Sequence, residues 1–143
     1  MKVLLAVDGS AYTTKAVNFV LSHFNWFKES PELHVLHVKL PIPIPEGRAA
    51  AVVGRDAVEN YYKVEAEQAL APAEKLLRKN NIPFKGGYCI GEIDQQIDAY
   101  AKEHQIDLIV MGSHGHGALK NLVMGSVATK VVARSSVPVL LIR

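Results

Sequence analysis

The sequence predicts an α/β fold: a parallel sheet with helices packed on both faces. Five short apolar runs of strand character, at residues 3–7, 32–38, 84–90, 108–111 and 137–142, alternate with helical patterns. That alternation calls for parallel strands joined by right-handed crossovers, which put helices on both sides of one sheet. The first and fourth runs stop at glycine-bearing turns, as short buried parallel strands do. At 143 residues the chain is long enough for a real core and fits one domain over residues 1–143.

The first run, residues 3–7, closes on Asp8-Gly9-Ser10, with Ser10 placed to cap a helix. Ala16, Val17, Val20, Leu21 and Phe24 keep helical spacing, so a helix is expected from about residue 11 to 27. Asp8 therefore ends a central-looking strand, where ligands of open α/β sheets bind. It serves either the turn or a ligand, and position alone does not choose. The second run carries His34 and His37, which face opposite sides of a strand and so share a metal poorly; structural roles are expected for both.

Pro41, Pro43 and Pro45 make the segment 39–54 extended and unsuited to a central strand. It is either a cover for the crevice beyond the second strand or a plain surface connection. Residues 55–80 read as a long helix with an apolar stripe of Val58, Tyr61, Tyr62, Ala66, Ala69, Leu70, Ala73 and Leu77. Pro72 inside it predicts a kink or break near Ala71. The third strand is loosened by Gly86-Gly87, and the next helix carries Ile93, Ile97, Tyr100 and Ala101 behind an acidic start at Glu92 and Asp94. Pro138 lies inside the last run; proline belongs at an edge or a strand start, so this strand is expected at one end of the sheet.

Composition is that of an ordinary globular chain, 49% apolar and 21% charged. A formal charge of +2 argues for neither nucleic acid nor an anionic membrane. Cys89 is the single cysteine, so no internal disulfide or cysteine-rich metal site is possible, and a buried inert thiol is expected. The first residues show no cleavable signal pattern and no apolar run approaches a membrane span, so a soluble cytoplasmic protein is expected.

The most informative stretch is Gly112-Ser113-His114-Gly115-His116-Gly117, followed by Gly125-Ser126 and the helical spacing of Val127, Val131 and Val132. Glycines here admit backbone angles closed to other residues and let a ligand approach the main chain. Two N–H-rich turns facing one crevice would suit a polyphosphate. A phosphate loop of the G-x4-G-K-[S/T] type is absent, position 120 is lysine where a dinucleotide fingerprint needs glycine, and Met111 stands where a nucleophile elbow needs glycine. His114-x-His116 lacks the further ligands a zinc site requires.

Gly112, two residues, Gly115, nine residues, Gly125 and Ser126 match in full the G-x2-G-x9-G-[S/T] signature, and the chain resembles the ATP-binding universal stress proteins. The resemblance extends over the opening strand with Asp8-Gly9-Ser10, over Leu36-His37-Val38, and over the last strand with Val137-Pro138. It implies a Rossmann-like doubly wound sheet of order 3-2-1-4-5 and an ATP-binding, often dimeric, stress-response protein. It places Asp8 near ribose and phosphates and Val38 at adenine through main-chain groups. Met111 and Gly112 would line the nucleotide wall. Gly115, Gly125 and Ser126 would hold phosphates, Gly125 through its N–H, with Val127 beside them. His114, His116 and Lys120 are extra candidates for phosphate contact, and Ala128 has no side-chain donor.

Two functional classes compete. One is a nucleotide-binding regulator that takes ATP, ADP or AMP, with Mg²⁺ between the phosphates and Asp8, acts on a partner protein and forms a homodimer through its last strand. The other is a slow ATPase or a nucleotidyl or phosphoryl transferase, for which the sequence offers no clear base beside a nucleophile. A structural dimer without nucleotide runs against the complete glycine–serine spacing.

Overall fold

Strand Lys2–Ala6 (β1) is the middle of a five-stranded parallel sheet. Glu32–Lys39 (β2) pairs with it on one side and Leu108–Gly112 (β4) on the other. Phe84–Ile90 (β3) and Val139–Ile142 (β5) form the edges, giving the expected order β3-β2-β1-β4-β5. Val3, Leu5 and Val7 turn to one face, against helices Ala11–Ser22 (α1) and Arg55–Lys79 (α2). Leu4 and Ala6 turn to the other, against helices Ile93–Glu103 (α3) and Ser126–Arg134 (α4). Burial on both faces is why the central strands read as unbroken apolar runs.

The computed structural model describes residues 1–43, 54–117 and 121–143. Most of the proline-rich segment 39–54, and Lys120, lie outside the described residues. Among the described residues no helix is long and apolar enough to cross a membrane.

Four local expectations are corrected. The first helix ends at Ser22, short of residue 27. There the Ser22 hydroxyl donates to the Asn18 carbonyl at 2.6 Å and the His23 ring nitrogen Nδ1 to the Phe19 carbonyl at 2.8 Å. With the last-turn acceptors engaged by side chains, the chain continues as a 3₁₀ turn, Phe24–Trp26. Ser10 occupies the N-cap position, yet its buried hydroxyl has no partner among the described residues. Thr13 supports the turn instead: its Oγ1 accepts the Asp8 and Gly9 N–H groups at 3.1 Å each and donates to Asp8 Oδ1 at 3.1 Å.

Pro72 does not end α2, which is continuous from Arg55 to Lys79. Ala69, Leu70, Ala73 and Leu77 are buried on either side of the proline, so packing on the sheet offsets the one lost helical bond. Pro138 precedes β5 rather than lying inside it, and its carbonyl accepts the Ile109 N–H at 2.9 Å. Its missing N–H therefore costs the ladder nothing.

Candidate functional site

Chain connections leave β1 and β4 in opposite directions, and a crevice opens beyond the carboxyl ends of these strands. It is a cavity of about 730 Å³. Asp8, Val38, Met111, Gly112, Gly115, Gly125, Ser126 and Val127 all line it. The topology thus brings together residues as much as 119 positions apart in sequence, from Asp8 to Val127.

Asp8 serves the turn with one oxygen and leaves the other to the crevice. Its Oδ1 accepts the Ser10 N–H at 2.9 Å and the Thr13 hydroxyl at 3.1 Å. Oδ2 makes no hydrogen bond among the described residues and lies under the glycine loop: a Cβ at Gly115 would stand 2.5 Å from it. Burial acts to raise the Asp8 carboxyl, but the hydrogen bonds from Ser10 and Thr13, with the nearby His116, outweigh it and hold the group below its ordinary value. Asp8 is therefore an anion at neutral pH.

Space, more than dihedral freedom, is what the loop's glycines provide. Any side chain at Gly112 would collide with Tyr12, and one at Gly115 would strike the Asp8 carboxylate. Of the three glycines Gly112, Gly115 and Gly117, only Gly117 has a positive φ, +73°. Gly125 is likewise ordinary at φ −72°, and its N–H does not face the cavity; it donates to the Ser113 carbonyl at 2.7 Å. That bond ties the start of α4 to the end of β4. The first helical bond of α4 runs from Thr129 N–H to the Gly125 carbonyl at 3.0 Å. The N–H groups of Ser126, Val127 and Ala128 precede it, have no helical partner and lie on the crevice wall. The free amides of this turn are therefore those of Ser126, Val127 and Ala128, the kind of group that suits an anion, while the Gly125 N–H is already engaged.

The loop histidines act as braces. His114 has both ring nitrogens engaged, Nδ1 with the Ser113 hydroxyl at 2.9 Å and Nε2 with the Leu122 carbonyl at 2.7 Å. His116 donates from Nε2 to the Asp8 carbonyl at 2.9 Å, pinning the glycine loop across the end of β1. Neither histidine takes part in a cluster that could hold a metal among the described residues.

The rest of the lining on the α3 and α4 side is apolar: Val38, Ile93, Ile97, Met111 and the Ala128 side chain belong to one packed cluster. His37, Lys39, Glu65 and Gln68 line the crevice from the α2 side, and sequence reasoning assigned none of them to the site. Lys39 pairs with Glu65 at 3.2 Å across the rim. The α2 residues were not recoverable from spacing, because which turn of a 25-residue helix meets the crevice depends on how α2 lies on the sheet. Cys89 is half-buried, and burial pushes its thiol up, in keeping with an inert side chain.

An open parallel sheet with an amide-lined crevice at its switch point is a ligand-binding fold of the doubly wound class. The family model described as the Universal stress protein family matches residues 1–143, and the chain belongs to that family. It is 31% identical to the universal stress protein YxiE of Bacillus subtilis over 147 residues, covering 99% of this chain and 98% of that protein. It is 32% identical over 142 residues to the universal stress protein Slr1230 of Synechocystis; there it spans only 42% of the relative's length, with 99% of this chain covered. The solved structure of protein MJ0577 of Methanocaldococcus jannaschii has a TM-score of 0.74 at 26% identity, covering 99% of this chain and 94% of that one.

Three further structures share the fold. One is an Archaeoglobus fulgidus universal stress protein in complex with dAMP, with TM-score 0.64 and 21% identity, covering 100% of this chain and 98% of that one. The second is an Arabidopsis thaliana family protein with AMP bound, with TM-score 0.68 and 18% identity, covering 99% and 90%. The third is a universal stress protein in complex with cAMP, with TM-score 0.63 and 19% identity, covering 100% and 96%.

Proposed function

We propose that the crevice binds an adenine nucleotide, ATP or its products ADP and AMP, and that the protein is a nucleotide-dependent regulator in the stress response. The observation that carries this reading is the mixed lining of one cavity. Free first-turn amides of α4 and a glycine loop line the same cavity as the apolar side chains of Val38, Ile93, Ile97 and Met111. A ligand that joins an anion to a flat apolar group matches such a lining. A volume of about 730 Å³ falls within the range of small-molecule sites. The complexes of fold relatives with AMP, dAMP and cAMP support the choice of ligand.

In this reading the phosphates rest on the amides of Ser126, Val127 and Ala128 and on the Gly112–Gly115 loop, and the base lies against Met111 and Val38. Asp8 is the residue for Mg²⁺: its Oδ2 is an ionised, unengaged oxygen at the phosphate end. A cation that needs one protein carboxylate and takes its other oxygens from phosphate and water fits such a site. Bound there, it would neutralise phosphate charge beside the carboxylate.

The same reading makes the protein a cytoplasmic homodimer. Among the described residues the outer edge of β5 has no strand beside it, and Val139 to Ile142 are all only half-buried. Pairing two copies about a twofold axis would cover that edge. Light scattering is expected to give twice the chain mass; a monomer at every concentration would remove this part. The nucleotide itself is tested by mass spectrometry of ligand released from freshly purified protein, with a timed hydrolysis assay alongside. An adenine nucleotide released intact supports the regulator. Its turnover at a steady catalytic rate would favour an enzyme, and failure to bind any added adenine nucleotide would refute the proposal.

A further inference from the structure

Successive residues of a strand turn their main-chain groups to alternate neighbours. The Val7 N–H donates to the Leu36 carbonyl at 2.9 Å, so Leu36 faces β1. The Gly91 N–H donates to the Lys39 carbonyl at 3.0 Å, so Lys39 faces β3. Val38 therefore faces the β1 side, where continuing the ladder would bring its N–H to the Val7 carbonyl. That bond is not made. The Val7 carbonyl instead accepts Nδ1–H of His37 at 2.8 Å. The β1–β2 pairing ends at Ala6 and Leu36, and among the described residues the N–H and C=O of Val38 have no main-chain partner on that side.

A buried histidine is a costly way to satisfy a carbonyl that a neighbouring amide could reach. His37 also differs from His34 on the same strand. Both nitrogens of His34 are paired, whereas His37 has only the Val7 contact among the described residues and lies on the crevice wall. We propose that His37 is a positioning residue that occupies the Val7 carbonyl, keeps the Val38 donor–acceptor pair open to the crevice, and so sets selectivity for a base bearing an amino group beside a ring nitrogen. Adenine presents that pattern; hypoxanthine and guanine carry a carbonyl in place of the amino group and would meet the Val38 carbonyl with a second acceptor. This rests on the nucleotide reading of the crevice and assigns to His37 the choice of base.

The test uses His37→Leu, which lacks the donor, and His37→Asn, whose side-chain N–H reaches the position of Nδ1. In the leucine variant the Val38 N–H should fall back onto the Val7 carbonyl. Its hydrogen exchange should then slow, AMP should bind roughly tenfold more weakly, and the preference for AMP over IMP should shrink toward unity. Binding of ribose 5-phosphate, which has no base, should not change. The asparagine variant should restore both the exchange rate and the preference. A leucine variant with parental AMP-to-IMP preference and parental Val38 exchange would overturn the proposal. So would a parent protein whose Val38 amide exchanges as slowly as the ladder amides of β2, a measurement that needs no variant to fold and no ligand to bind. A parent that binds neither AMP nor IMP would instead sink the nucleotide reading, and Val38 exchange would still decide the role of His37.

Discussion

The two ends of the sheet are built from the same strands and treat their polar groups in opposite ways. At the amino end, His34 engages the Glu32 carboxylate through Nε2 and the Tyr100 hydroxyl through Nδ1, each at 2.8 Å. Lys85 closes on the same carboxylate at 3.1 Å, and the His104 ring packs tilted against Tyr100 with ring centroids 4.0 Å apart. Lys2 ties in both its main-chain N–H, to Asp107 at 2.7 Å, and its ammonium, to the His104 carbonyl at 3.0 Å. At the carboxyl end, Asp8 Oδ2, three first-turn amides of α4 and the main-chain groups of Val38 all border one cavity without partners among the described residues. Unpaired polar groups that converge on one cavity are free to meet a ligand, which is the basis of the proposed site. In the proposed reading the amino end is a lock and the carboxyl end a receptor.

Changes at the receptor should alter binding and spare folding. The largest effect is expected from Gly125→Val. Its φ of −72° suits valine, but the new Cβ would stand 3.2 Å from the Ser113 carbonyl oxygen and 3.3 Å from His114 Cα, at the start of α4. Displacing the α4 amides by a few tenths of an ångström and filling the approach to them should weaken ATP binding about a hundredfold or more. Circular dichroism should show a folded protein. Parental affinity in a folded variant would mean that the glycine–serine motif is structural.

Changes at the lock should do the reverse. His34→Leu removes the partner of the Tyr100 hydroxyl and should lower the unfolding free energy by about 1–3 kcal/mol in a urea titration. Nucleotide affinity should stay within twofold. A stable variant with impaired binding would erase the distinction between the two ends.

The smallest effect sharpens the role of Asp8. Because Oδ1 holds the turn, alanine would disturb the fold as well as the site, whereas Asp8→Asn keeps an acceptor for Ser10 and Thr13 and changes the free oxygen. Calorimetric titration should show roughly tenfold weaker Mg-ATP binding and unchanged metal-free binding. A parallel test follows from the lowered Asp8 carboxyl. A group depressed on folding stabilises the native state above its unfolded value, about 3.9 for aspartate, and loses that contribution as pH falls through the folded value. The stability difference between parent and Asp8→Asn should thus be flat above about pH 5 and shrink below about pH 4. A difference constant down to pH 2 would show that the charge is not what matters.

Much of this was legible in the sequence because the signals were local. Apolar runs closed by turns gave the strands, and glycine spacing marked a loop that sits on the crevice. What escaped depends on contacts between distant segments. Pro72 is tolerated because α2 is pressed onto the sheet on both sides of it, and His37 reaches the site because β1 ends one residue before the ladder would have claimed Val7. Gly125 was credited with an amide that the Ser113 carbonyl already holds, a bond between residues 12 apart that no spacing rule anticipates.

Backbone-amide NMR during an AMP titration tests the receptor-and-lock account most directly, since it reads both ends of the sheet in one sample. The account predicts saturable shifts at Val38, Gly115, Ser126, Val127 and Ala128, with Lys2, Glu32, His34, Tyr100 and His104 unmoved. Shifts concentrated at the amino end, or no saturable shift at the α4 amides, would contradict it.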